Sequence, residues 1–241
     1  MNKEIEFNEI PLKVPSLKAI EKKVTVLIKE LSDAKDFKTG MAVIKKMDKF
    51  MSHLETQMVV ISIRYSLNTT DPVISKAQDK MDEISPYLSG LLNQWNKILV
   101  NVPFGKDIDA KWSPYYFINT ENALTAFDEK IIPALIEINK LSSQYDRVLG
   151  SAQIEFRGQT YNLSQMGKFS TDKDRQTRKE ASIAVDKFFA SKEQEIGDIY
   201  SKLVILRDQA AKKLGFENFI ELGYLSLGSV DLTGLGKITT I

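Results

Sequence analysis

Apolar residues return every three or four positions through most of this 241-residue chain, which is the spacing of one face of an α-helix. The first stripe consists of Leu17, Ile20, Val24, Leu27, Ile28 and Leu31. A second stripe follows Asp36, an expected N-cap, and consists of Met41, Ile44, Met47, Met51, Leu54, Met58, Ile61 and Tyr65. The pattern predicts a mainly α fold, an elongated array of several helices.

Proline marks the expected start of a third helix and also interrupts it. Asp71 is placed to cap the helix, and Pro72 occupies the first helical position, where its missing N–H costs nothing. The apolar pattern then continues toward Leu99. Pro86 lies inside that stretch, so the sequence predicts a kink or a break near Ser85.

Two shorter helices are expected farther along. A Ser-Pro pair opens the first, over residues 113–124, and Pro133 opens the second, which runs to about residue 149. Gly150 follows at once, and glycine adopts positive φ at little cost. We therefore expect Gly150 to close the second helix in that conformation.

The segment 152–163 departs from the helical spacing and reads as the chain's single β-hairpin. Its alternating apolar residues are Ile154, Phe156, Tyr161 and Leu163. Arg157 and Gly158 are expected to form the turn between the two strands. An isolated hairpin is marginal in water, so this one is expected to pack on helices through Ile154, Phe156 and Leu163.

Two final helices are predicted after the hairpin. Asp172 is the expected cap of the first, which extends to Ala190. The second is expected to end at Gly215, and its apolar stripe consists of Ile196, Ile199, Leu203, Leu206, Ala210 and Leu214.

Composition excludes several classes of function. The formal net charge is +1, with no basic block or RNA-binding motif, which argues against nucleic acid or an acidic membrane surface as a partner. No apolar run approaches the roughly 18 residues of a membrane span. The chain has no cysteine and begins without a signal-peptide pattern, so the expected location is the cytoplasm.

No catalytic or metal-binding residue emerges from the sequence. A zinc-peptidase site needs two histidines one helical turn apart, and this chain has only His53, which we expect at a solvent-facing or interface position. The carboxylate pairs Asp82-Glu83 and Glu193-Glu195 lie among lysines and are interpreted as solvated, ion-paired faces. The sequence also lacks a serine-nucleophile elbow, and too few residues follow Gly234 and Gly236 for a phosphate-binding loop.

The methionine-rich stripe between residues 41 and 58 has two interpretations. Methionine side chains repack easily, so the stripe is compatible with an adaptable peptide-binding groove. Packing against the first and third helices is the favoured interpretation.

Several segments resemble the N-terminal half of the oligoendopeptidase F family, zinc metallopeptidases related to thimet oligopeptidase. They are IRYSLNTTD, DEISP, SAQIEFRGQTYNLSQMGKF, DRQTRKEA and KKLGFENFIELGYL, in that order. The resemblance extends from Pro15 to Thr233. It implies a helical shell around a deep channel that admits short peptides, with this chain as part of the channel wall.

The resemblance also implies what this chain does not carry. In the family, zinc is bound by a His-Glu-x-x-His helix and a downstream glutamate, and the motif glutamate is the general base. None of these positions has a counterpart here. We therefore expect 1–190 to be a helical N-terminal region that includes the hairpin, and 191–241 to be a truncated start of the catalytic domain.

The expected function is that of the N-terminal, non-catalytic part of a zinc metalloendopeptidase acting on short peptides, inactive as this chain. The alternative is a self-standing helical module that binds peptides or a partner protein. Residues 234–241 lack a helical stripe, which favours a disrupted gene over a fragment boundary or a divergent tail. Apolar residues of 216–227 are expected to be incompletely covered and to drive self-association.

Overall fold

The computed structural model describes residues 5–111 and 115–227, with the side chains of 109–111 left out. This part of the chain contains nine α-helices and one two-stranded antiparallel sheet. The elements are α1 (Leu17–Asp33), α2 (Phe37–Leu67), α3 (Pro72–Leu99), α4 (Gly105–Lys111), α5 (Tyr115–Thr125), α6 (Ile132–Gly150), β1 (Ile154–Phe156), β2 (Gln159–Tyr161), α7 (Leu163–Ser170), α8 (Arg175–Leu214) and α9 (Phe219–Ser226). The mainly α fold class with one small hairpin is confirmed.

Side-chain caps begin the long helices where the sequence predicts them. The carboxylate of Asp36 accepts a hydrogen bond from the Thr39 backbone N–H at 2.9 Å. Asp71 accepts from the backbone N–H groups of Val73 and Ile74, at 2.8 and 3.0 Å. Each cap satisfies donors that the first helical turn leaves without a partner, so both predicted starts are confirmed.

The main core lies between α1, α2 and α3. Both sequence stripes turn inward here, and residues such as Leu27, Leu31 and Ile44 are almost fully buried. Met41 and Met47 are buried in the same cluster, and Met51 and Met58 pack against it. The methionine stripe is therefore core, as the favoured interpretation predicts, and does not form an open groove.

The sequence predicts a kink or a break near Ser85; helix α3 continues through Pro86, so the break is wrong and the kink stays a prediction. The helix runs from Pro72 to Leu99 with Pro86 buried inside it. A proline cannot donate to the carbonyl four residues earlier, which here belongs to Asp82. The side-chain amide of Asn139, on α6, donates to that carbonyl instead, at 3.2 Å. Tertiary contact thus replaces the missing helical hydrogen bond.

The predicted hairpin is confirmed in position, turn and packing. Strand β1 pairs with β2 so that Ile154 lies opposite Tyr161. The turn residues Arg157 and Gly158 have φ of 49° and 78°, as a two-residue type I′ turn requires. Ile154 and Phe156 are buried in a second cluster, centred on α7 and α8.

Two predictions after the hairpin are wrong. Leu163 begins α7, an unpredicted helix that Asn162 and Gln165 start with a capping box. The cap of α8 is Asp174, whose carboxylate accepts from the Thr177 backbone N–H at 2.8 Å. Asp172 instead accepts from the backbone N–H of Asp174, in the turn before the helix.

The last two predicted helices form one. Helix α8 runs for 40 residues, from Arg175 to Leu214, so the predicted end at Ala190 is wrong. The predicted domain boundary between residues 190 and 191 lies inside this helix. The assignment of 191–241 to a catalytic domain stays a prediction. Gly215 ends α8 with φ of 96°, as predicted.

Gly150 does not close α6 with positive φ, so that prediction is wrong. It belongs to the helix, and the C-cap is Ser151 with φ of −80°. The glycine is needed for a different reason, since a Cβ atom there would lie 2.5 Å from Oγ1 of Thr69. The predicted Ser113-Pro114 start and the tail 234–241 lie outside the described residues.

Candidate functional site

A groove lies between α3, α6 and α8. Its cavity volume is about 910 Å³. Helix α3 contributes acidic residues, α6 contributes residues of both charges, and α8 contributes a lysine and apolar side chains. The lining residues are Asp79, Glu83, Glu137, Lys140, Leu141, Gln144, Arg147, Lys202, Ile205, Leu206 and Gln209.

Arg147 connects the two walls of this groove. Its guanidinium donates to the Asp79 carboxylate at 2.9 Å and to the Ser75 hydroxyl at 3.2 Å, joining α6 to α3. It also lies 5.9 Å from the centroid of the Tyr65 ring. The contacts with Asp79, Ser75 and Tyr65 hold the guanidinium in place, so it forms a rigid, charged part of the groove wall.

The rest of the groove lining combines charged and apolar side chains. Lys140 lies 3.5 Å from the Glu137 carboxylate on the same helix. Lys202, in contrast, has no ion pair with any carboxylate in the described ranges. Ile205 exposes 55% of its surface and Leu206 is half-buried. Such a surface suits an extended peptide, which offers carbonyls, charged termini and apolar side chains together.

A buried polar layer lies next to the groove. The Tyr65 hydroxyl donates to the Ser143 carbonyl at 2.7 Å, and one Asp82 oxygen accepts from Gln78 at 2.9 Å. Within residues 5–111 and 115–227, the other carboxylate oxygen of Asp82 has no hydrogen-bond partner. Burial raises the pKa of Asp82, while the nearby Ser143 and Gln78 side chains oppose that shift.

Asp82 is the polar residue that sequence reasoning placed wrongly. It is only 4% exposed, whereas the sequence predicts a solvated face for Asp82 and Glu83. Glu83 does lie at the surface, 2.9 Å from the Lys80 ammonium. The available signal was helical spacing, because Asp82 lies four residues before Pro86, which is also buried in α3.

The other sequence candidates stay apart from the groove. His53 is exposed on α2, with its Nε2 atom 3.0 Å from the side-chain nitrogen of Gln57. Glu195 lies 3.1 Å from Lys192, which agrees with the predicted ion-paired face. The described residues contain no group of three or more histidine, cysteine or acidic side chains able to hold a metal ion.

Comparison with known proteins points to one family. The Peptidase M3 N-terminal domain family matches residues 7–127. Among solved structures, an oligoendopeptidase F from Bacillus anthracis str. Ames is 34% identical, with a TM-score of 0.90 over 94% of this chain. A second oligoendopeptidase F structure is 31% identical, with a TM-score of 0.89 over 93% of the chain.

A third solved structure, PZ peptidase A with an inhibitor, is 31% identical and has a TM-score of 0.88 over 92% of the chain. The chain spans 42%, 40% and 40% of the lengths of these three structures. None of the curated proteins matches the sequence. Among the described residues, no helix combines the length and apolar character needed to cross a bilayer.

Proposed function

We propose that this chain, which belongs to the Peptidase M3 N-terminal domain family, has a non-catalytic role in a peptidase. Its structure is similar to that of oligoendopeptidase F. In this proposal it is the N-terminal part of a zinc metalloendopeptidase that acts on short peptides in the cytoplasm. The supporting observation is a TM-score of 0.90 over 94% of the chain but only 42% of the relative. A sequence without cysteine fits a reducing compartment.

Zinc enters the proposal only through the family. The one histidine of the sequence, His53, is exposed, and the described residues offer no cluster of ligands around it. Zinc is bound in proteins chiefly through histidine, cysteine and carboxylate groups held together in one place. The residues present do not fit such a site, so no catalytic step is assigned to them.

The groove between α3, α6 and α8 is the part of this chain that we assign to peptide handling. Arg147 and Asp79 form its rigid ionic wall, and Ile205 and Leu206 form its apolar surface. Lys202 is available for a peptide carboxylate, since it has no ion pair among the described residues. This assignment also supports the alternative, in which the chain binds peptides as a self-standing helical module.

A hydrolysis assay tests the non-catalytic role that both functions share. We expect the purified chain to leave a quenched fluorescent peptide intact, with or without added zinc, while the full-length Bacillus anthracis relative serves as the positive control. Cleavage that a chelator abolishes, and that persists after rigorous removal of host proteases, would contradict the non-catalytic role. Binding of the same peptide to the purified chain without cleavage, weakened in Lys202→Gln, would support the assignment of the groove to peptide handling.

A further inference from the structure

A second cavity, on the other side of α6 from the peptide groove, combines an apolar interior with unpaired donors. It lies where α3, α5, α6, α8 and α9 meet and has a volume of about 410 Å³. Ligand pockets for small molecules typically measure about 300–1,000 Å³ and place a few polar groups in apolar walls. The walls here include Phe127, Ile131, Leu135 and Leu222.

Asn93, on α3, brings an unsatisfied donor to this cavity. The residue is only 6% exposed, and its amide nitrogen has no hydrogen-bond partner among the described residues. A buried amide without a partner destabilises the protein, so an acceptor that reaches it gains free energy. The nitrogen is shielded from solvent, so a ligand oxygen in the cavity reaches it once the Asn93 side chain turns toward the cavity.

Arg207, on α8, adds a positive charge to the same lining. Its guanidinium lies 5.7 Å from the centroid of the Phe219 ring, a contact that holds the side chain against α9. In the described part of the chain it has neither an ion pair nor a hydrogen bond to a carboxylate. Among the described residues, no acidic side chain lines the cavity either.

We propose that this cavity binds a small carboxylate with an apolar body. The carboxylate accepts hydrogen bonds from the Arg207 guanidinium and the Asn93 amide, and the apolar body packs against Phe127, Ile131 and Leu135. Two sources share this chemistry, a medium-chain fatty acid and the C-terminal residue of an apolar peptide. The site is independent of the peptide groove, and of whether the chain takes part in hydrolysis.

Isothermal titration calorimetry tests the site with four probes. Octanoate and N-acetyl-leucine represent the two sources of the carboxylate. Octan-1-ol has the apolar body without the charge, and acetate has the charge without the body. We expect one of the two apolar carboxylates to bind with a stoichiometry of one, and both octan-1-ol and acetate to bind about tenfold more weakly or worse.

Variants separate recognition from folding. Arg207→Gln is expected to weaken the better carboxylate about tenfold, while Arg175→Gln, at the opposite end of α8, leaves binding unchanged. Asn93→Leu removes the unpaired amide at similar volume, so it should weaken binding about fivefold while the Tm stays equal or rises. A purely structural role for Asn93 predicts a lower Tm instead.

Three results would overturn the site. One is the absence of saturable binding by either apolar carboxylate to the folded chain. Another is equal binding by octan-1-ol, which would reveal an apolar cavity without anion recognition. The third is binding that Arg207→Gln and Asn93→Leu both leave unchanged, because the ligand would then lie elsewhere.

Discussion

The side-chain amide of Asn139 donates to the main-chain carbonyl of Asp82 at 3.2 Å. Pro86 leaves that carbonyl without its helical donor, so a residue 57 positions away completes the hydrogen bonding of α3. The same amide nitrogen lies 3.1 Å from the Ser85 hydroxyl. The contact joins α3 to α6 beneath the wall of the peptide groove, which explains how a buried proline is accommodated there.

A double-mutant cycle tests this relationship. Asn139→Leu should lower the free energy of unfolding by about 1–3 kcal/mol, because the Asp82 carbonyl loses its donor in a buried place. Pro86→Ala supplies a backbone N–H for that carbonyl, so the loss caused by Asn139→Leu should shrink by about 1 kcal/mol or more in the Pro86→Ala background. Equal losses in both backgrounds, measured by urea denaturation, would show that the two residues act independently.

The pKa of Asp82 predicts a dependence of stability on pH. Burial raises this pKa above the usual 3.8, so the native state keeps the proton to higher pH than the unfolded chain does. The stabilising contribution is complete below about pH 4 and is lost as the pH rises through the native pKa. Asp82→Asn should remove this decline.

At pH 7, Asp82→Asn should also raise the free energy of unfolding, because it removes a negative charge from a place where burial disfavours the charged form. Glu83→Gln is the matched control, because it removes the adjacent carboxylate at the surface. Denaturation curves collected from pH 3 to 8 compare the two variants. Burial also raises the pKa of Asp48 and of Asp146, so the interpretation fails only if the decline in Asp82→Asn is as large as in the unaltered chain.

Gly150 and Gly167 predict opposite effects of the same substitution. A Cβ atom on Gly150 would lie 2.5 Å from Thr69 Oγ1, so Gly150→Ala should cost about 1–3 kcal/mol through overpacking. Gly167, in α7, has no atom within 4 Å of an added Cβ. Gly167→Ala should therefore stabilise the helix by about 0.5–1 kcal/mol.

The clash at Gly150 also predicts a rescue. Thr69→Ala removes the oxygen and the methyl group that meet the new Cβ, so it should restore most of the stability of Gly150→Ala. Thermal unfolding of the two single variants and the double variant measures this. If Thr69→Ala instead lowers the stability of Gly150→Ala further, the close approach of Thr69 does not explain why residue 150 is a glycine.

The residues that sequence reasoning placed correctly are those whose environment is local. Asp36 and Asp71 cap helices within three residues of themselves. Arg157 and Gly158 form a turn whose backbone angles follow from the two strands beside it. Such features depend on neighbours in the sequence, so the pattern alone predicts them.

The misplaced residues depend instead on partners from distant segments. Pro86 is accommodated by an amide on α6, and Gly150 is required by a threonine before α3. Asp82 is buried because α3 packs against α6 along this face. Both cavities combine residues more than 100 positions apart, so periodicity within any one helix carries no signal of them.

Phe156 should be one of the most important residues of the hairpin. Its side chain is 6% exposed, and its ring centroid lies 4.7 Å from that of Phe169 on α7. Phe156→Ala should cost about 3–5 kcal/mol, the usual loss for a buried aromatic residue. Ile220→Ala, at an apolar residue that is largely exposed, is the control. A loss below about 1 kcal/mol in equilibrium denaturation would contradict the packing.

The exposed apolar face of α8 and α9 predicts self-association of this chain. Leu222 is buried, but Tyr200 is 68% and Leu227 is 78% exposed, and Val204 adds to the face. Uncovered apolar patches of more than about 400 Å² usually drive association. We therefore expect association at micromolar concentration and fast amide exchange across most of 216–227.

Analytical ultracentrifugation and hydrogen exchange measure these two properties. The double variant Tyr200→Ser with Val204→Ser should shift the chain toward monomer, because it removes apolar surface from the face. Val73→Ser, at an exposed valine on α3, is the matched control and should leave association unchanged. A clean monomer with slow exchange throughout 216–227 would contradict the prediction. The chain would then close its own core, and the self-standing binding module would become the better account of its function.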